Sequence, residues 1–167
     1  MNEKRRFVVG IDPDHERSGV ALVDTQTKRI VSMQSMEFPD LIDRLVNMKE
    51  ENYDFLVVVE ASWLHKANWH VDFGEGMRIS ARKGYDVGCN HETGRKIVEM
   101  LRHHGIEVVE RQPLPKAWSG KDRKITHEEL AYFAPVPKSR TNPEERDAAL
   151  LAWNHAALPV RVKPRTS

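Results

Sequence analysis

Two acids in this chain stand at the ends of hydrophobic runs. The segment Phe-Val-Val-Gly-Ile-Asp-Pro places Asp12 after a β-branched apolar stretch and directly before Pro13, and Phe55 to Val59 leads in the same way into Glu60. Each run reads as a buried strand that stops at its carboxyl end. If the two strands are parallel neighbours, the carboxylates lie side by side where open α/β sheets place their sites. Carboxylates that close repel unless a cation or a proton intervenes. Asp147 stands beside the start of the apolar run Ala148 to Trp153 in a predicted last helix, and Glu144 lies one turn earlier on the same face. Capping and the helix dipole explain Glu144 and Glu145 equally well, whereas Asp147 has no such reason to be acidic. Oxygen donors without a thiolate cluster favour Mg²⁺ or Mn²⁺, ions suited to positioning water and stabilising a leaving oxygen. The chemistry indicated is phosphodiester hydrolysis.

The elements that must hold these acids can be read in outline. Ser18 to Asp24 and Arg29 to Met33 form two further predicted strands joined by a short polar connection, so the chain opens as an antiparallel meander. Residues 39–51 place Leu41, Ile42, Leu45, Val46 and Met48 at helical spacing. Residues 61–88 mix Trp63, Trp69, His65, His70 and several glycines without a sustained period, which predicts loop structure around a surface site. Asn90 to His104 predicts a helix stopped by Gly105, with a strand over Ile106 to Val109. A proline-containing basic loop, a helix over Thr126 to Phe133 and a capped helix from Asn142 complete the chain. The order predicts an α/β fold in which the meander continues into a parallel section through right-handed crossovers.

These motifs resemble RuvC-type Holliday junction resolvases of the ribonuclease H-like fold. The residues that carry the resemblance are Gly10-Ile11-Asp12-Pro13, Ser18 to Leu22, the strand ending in Glu60, Pro115-Lys116 with Lys121 and Lys124, and Asn142-Pro143 through Asp147 to Ala152. The resemblance implies a mixed five-stranded sheet with helices on both faces. It further implies four carboxylates, Asp12, Glu60, Glu144 and Asp147, holding two divalent ions, with Lys116 and Lys124 supporting catalysis. An aromatic residue that wedges into the junction follows the second acid by three positions in that family, and Trp63 has this spacing. The implied activity is metal-dependent cleavage of Holliday junctions or other branched DNA by a homodimer. The chain departs from the family at Asp14, where glycine is usual, and at Ala61, where glutamine is common. A non-catalytic nucleic-acid-binding module on the same scaffold is the alternative expectation.

Composition sharpens the choice of partner. The 167 residues predict one domain, here residues 1–160 with a basic tail over 161–167. The formal net charge is only +1, which announces no nucleic acid. Residues 1–60 nevertheless carry 8 basic and 12 acidic side chains, whereas residues 61–167 carry 18 and 13. Arg111, Lys116, Lys121, Arg123 and Lys124 concentrate around Trp118, the pattern of a loop that tracks a phosphate backbone beside a stacking aromatic. No His-Glu-x-x-His motif or other zinc spacing occurs, although His15 or His127 could act as a general base. Cys89 is the single cysteine, which predicts a reducing compartment, and no apolar stretch approaches the roughly 18 residues of a membrane span. The expectation is a cytoplasmic protein.

Overall fold

The computed structural model describes residues 4–65 and 76–164. Five strands form one sheet in the order β3-β2-β1-β4-β5. They are β1 (Phe7–Asp12), β2 (Ser18–Asp24), β3 (Arg29–Met36), β4 (Phe55–Glu60) and β5 (Val108–Arg111). The meander β1-β2-β3 is antiparallel, while β4 pairs parallel to β1 and β5 parallel to β4. The predicted architecture is therefore present, and it has a direct consequence for the acids. Ile11 pairs with Val59, so Asp12 and Glu60 occupy the next position on adjacent parallel strands.

Alternation along the strands feeds two cores. Val9, Ile11, Val57 and Val59 point towards α1 (Phe38–Glu50) and α2 (Met77–His103), joining Leu41, Leu45, Ile97 and Leu101 in one cluster. Val8 and Val58 point to the other face, where α3 (His127–Phe133) and α4 (Pro143–His155) supply Leu130, Ala148, Leu151 and Trp153. Asp12 and Glu60 share the parity of Val8 and Val58, which directs them to the α4 side.

Two glycines let α4 lie unusually close to the sheet. A Cβ at Gly10 would collide with the Ala148 carbonyl, and one at Gly19 with the backbone of Glu144. Both obstacles are helix backbone and cannot be relieved by a rotamer change. Replacing Gly10 with alanine must therefore lift the helix that carries Asp147. Overpacking of this kind costs about 1–3 kcal/mol, and urea titration of Gly10→Ala should show a loss in that range.

The structure corrects the reading of residues 61–88 as loop. Ser62–Leu64 form a 3₁₀ turn, and α2 begins at Met77, giving a helix of 27 residues rather than one starting at Asn90. Trp69 and His70 lie outside the described residues. Only the second half of α2 reaches the core, through Gly94, Ile97, Val98 and Leu101. The preceding half has no packing face, so its sequence shows no apolar period. β3 runs on to Met36 rather than Met33. β5 is shifted two residues later than predicted, because Gly105 turns the chain at φ 68° and Ile106 donates to the Leu101 carbonyl at 2.9 Å. Ile106 is buried as a helix-end plug instead of pairing in the sheet.

Candidate active site

Four acids converge from three elements at the carboxyl end of the parallel strands. Asp12 closes β1, Glu60 closes β4, and Glu144 and Asp147 sit one turn apart near the start of α4. The cap of α4 fixes its start. The Asn142 side chain accepts from the Glu145 N–H at 2.8 Å, and the Glu145 carboxylate accepts from the Asn142 N–H at 3.2 Å. Glu145 is buried and paired with Lys138 at 2.8 Å. The capping acid is thus Glu145, which leaves Glu144 free of that duty.

Electrostatics show that the acids sense one another. Burial, reinforced by the charges of Glu60, Asp147 and Glu144, holds the Asp12 carboxyl well above its ordinary value of 3.8, with Lys124 acting in the opposite direction. Burial and Asp147 likewise push Glu60 up, against Lys124, Lys116 and a hydrogen bond from Ser62. Lys124 Nζ lies 2.7 Å from Asp147 Oδ2. Half-burial works against its charge, but Asp147, Asp12 and Glu144 outweigh this and raise its pKa. Among the described residues no group of three or more His, Cys, Asp or Glu is gathered at metal-ligand spacing. The donor set nevertheless fits a hard divalent cation, because all four are oxygen donors and the buried Asp12 carboxylate, destabilised by three neighbouring acids, is relieved by added positive charge. Asp12, Glu60 and Asp147, with Glu144 beside them, are the residues that could hold it.

The basic residues divide into groups. Lys116, Trp118, Arg123 and Lys124 line the same cleft as Asp12, Glu60 and Asp147. Lys116, Lys121 and Arg123 are exposed. Arg111 ends β5 beside Glu60, but its guanidinium donates to Asn154 Oδ1 at 3.3 Å. His127 Nδ1 contacts Thr141 Oγ1 at 3.0 Å, whereas His15 is held by Asn90 and not by an acid of the cluster.

Both tryptophans predicted to stack on bases are partly buried and make contacts within the fold. Trp118 stacks on Phe133, with ring centroids 6.0 Å apart, at the margin of the α4-side core. Trp63 is half-buried, its ring occupying the space left by Gly94. Its Nε1–H donates to Glu110 Oε1 at 3.2 Å, and His91 and Arg95 flank the ring. Here Trp63 fastens the turn after Glu60 onto α2.

Sequence reading missed the first half of α2. This helix descends from the carboxyl end of β4 to the start of β5, so its first half stands beyond the strand ends, at the same end as the acids. Asn90 marks the level of the sheet top, its Oδ1 accepting from the His15 N–H at 2.8 Å. Residues 77–89 add about 20 Å of helix before it at 1.5 Å per residue. Arg78 and Arg82 lie one helical turn apart on this exposed stretch.

The fold is a ribonuclease H-like one, a mixed five-stranded α/β sheet with helices on both faces. In three dimensions the chain is similar to T. thermophilus RuvC in complex with a Holliday junction substrate, with TM-score 0.55, 15% identity, and coverage of 90% of this chain and 92% of that one. A second Thermus thermophilus RuvC structure gives TM-score 0.51, 15% identity and coverage of 90% and 93%. The large terminase nuclease of thermophilic phage G20c with bound zinc gives TM-score 0.52, 16% identity and coverage of 90% and 81%. No family model matches the chain, and no curated protein matches its sequence. No helix among the described residues is long and apolar enough to cross a membrane.

Proposed function

We propose that this protein is a divalent-metal-dependent endonuclease that cleaves Holliday junctions or other branched DNA. The observation that carries the reading is the convergence of Asp12, Glu60, Glu144 and Asp147 beside a loop rich in lysine and arginine. Two Mg²⁺ or Mn²⁺ ions held by these acids would stabilise the charge that develops as water adds to phosphorus and one P–O bond breaks. Lys116 and Lys124 lie where they can neutralise the non-bridging phosphate oxygens. Lys121, Arg123 and Arg111 extend the positive surface along the backbone, and Trp118 supports it from beneath. Trp63 stacks on the junction only if the turn after Glu60 releases it from Gly94. Residues 1–160 form the nuclease domain with a basic tail over 161–167, and a homodimer pairs two sites for symmetric cuts.

The ion pair between Lys124 and Asp147 favours a second reading, a module that binds branched DNA without cutting it. A panel of junction, duplex, flap and RNA–DNA hybrid substrates in Mg²⁺ and Mn²⁺ separates the two. Nicking of the junction supports the endonuclease, whereas tight binding with no product in either ion supports the module.

A further inference from the structure

The loop that carries Lys124 into the cleft is held in an unfavourable shape. The Trp118 N–H donates to the Arg123 carbonyl at 3.1 Å and the Gly120 N–H to the Lys124 carbonyl at 3.0 Å. At its tip Asp122 and Arg123 both adopt left-handed backbone, at φ 54° and 59°. Such conformations cost non-glycine residues about 1 kcal/mol or more each and persist where surrounding structure enforces them. Gly120 is required here, because a Cβ would stand 2.5 Å from the Lys124 carbonyl oxygen.

The enforcing contact comes from α3. Glu129 Oε2 accepts from the Thr126 N–H at 2.9 Å, and Glu129 Oε1 accepts from the Ser119 N–H at 3.1 Å. The first bond belongs to the capping box that Thr126 and Glu129 form at the start of α3. The second has no part in capping. Together they tie both ends of the loop to one side chain. Burial opposes the charge of Glu129, yet the hydrogen bonds from Thr126 and Ser119 prevail and hold its carboxyl below the ordinary value.

We infer that Glu129 is a positioning residue, which clamps the loop at Ser119 and Thr126 and so sets the Lys124 ammonium against Asp147 in the acid cluster. The inference rests on the nuclease reading for its kinetic consequence, but not for its structural one. Glutamine separates clamping from capping. Its single carbonyl oxygen can keep the Thr126 bond, as a capping box allows, while its NH₂ group cannot accept from Ser119. Only the long 3.4 Å approach of Ser119 to the retained oxygen would remain.

Glu129→Gln should keep the melting temperature of the parent while lowering kcat for junction cleavage about 10- to 100-fold with little change in KM, the size of effect that misplacing a reacting group produces. In a cycle with Lys124→Ala, the double variant should be no slower than Lys124→Ala alone, because Glu129 acts through Lys124. Independent, multiplicative losses, or a kcat that merely follows the melting temperature, would overturn the assignment. Acylation by an amine-reactive ester, read by peptide mass, decides the clamp without any nuclease activity. Lys124 should become several-fold more reactive in Glu129→Gln, with Lys28, exposed on the turn between β2 and β3, as the internal reference. Unchanged Lys124 reactivity sinks the clamp, whereas absence of cleavage by the parent protein sinks only the nuclease reading.

Discussion

Asp12→Asn should abolish junction cleavage and at the same time raise the melting temperature of the protein in chelator. The loss of rate should reach about 10³-fold or more, equivalent to about 4 kcal/mol of transition-state stabilisation. The gain in stability has a separate origin. Burial and the charges of Glu60, Asp147 and Glu144 raise the Asp12 pKa in the folded chain, so the carboxylate is costly whenever no cation offsets it. An acid with a raised folded pKa binds its proton more tightly in the native state. Its penalty is absent below the unfolded value, near 3.8, grows as pH rises towards the folded value, and is constant above that. The difference in melting temperature between Asp12→Asn and the parent should therefore close towards pH 4 and widen as the pH is raised from there. Added Mg²⁺ or Mn²⁺ should raise the parent's melting temperature by mass action and do far less for the variant. Calorimetry across pH, with chelator and with each ion, checks all three outcomes. A variant less stable than the parent at neutral pH in chelator would show that Asp12 is structural.

The same electrostatics explain what the sequence disclosed about this site. Asp12 and Glu60 are legible because each interrupts a solid apolar strand, a pattern written in six consecutive residues. Parallel pairing of those strands then determines that the acids meet. Asp147 is legible for a related reason, since it precedes the buried run from Ala148 to Trp153. Contacts made across the fold leave no such trace. The first half of α2 is helical without an apolar face, so periodicity cannot report it. Ile106 has the composition of a strand residue but is buried through a turn whose shape depends on Gly105. The Thr126-x-x-Glu129 box is visible as a helix start, yet the bond from Glu129 back to Ser119 depends on how the preceding loop folds. Trp63 and Trp118 carry packing that the sequence does not show: Gly94 and Phe133, distant in the chain, provide it.

Replacing Lys116, Lys121 and Arg123 together with alanine should weaken junction binding by about two orders of magnitude or more near physiological salt. All three side chains are exposed on the loop beside the acids, so their truncation leaves the core intact and removes mainly charge. Each phosphate that is no longer neutralised should lower the steepness of log K against log salt by about 0.9. Removing all three cations therefore flattens the slope by roughly 3, whereas a variant that is merely misfolded binds more weakly at every salt concentration. Arg78→Ala with Arg82→Ala asks whether the substrate also reaches the projecting half of α2. This basic stretch belongs to the helix packed on the sheet face opposite to α4. A duplex arm in contact with both the loop and this stretch would lose two cations, so the double variant should flatten the slope by roughly 2 with no change in melting temperature. Fluorescence anisotropy with junction and duplex DNA at several salt concentrations measures each slope. An unchanged slope for the loop variant would place the substrate elsewhere. An unchanged slope for the helix variant alone would confine the DNA to the α4 side of the acids.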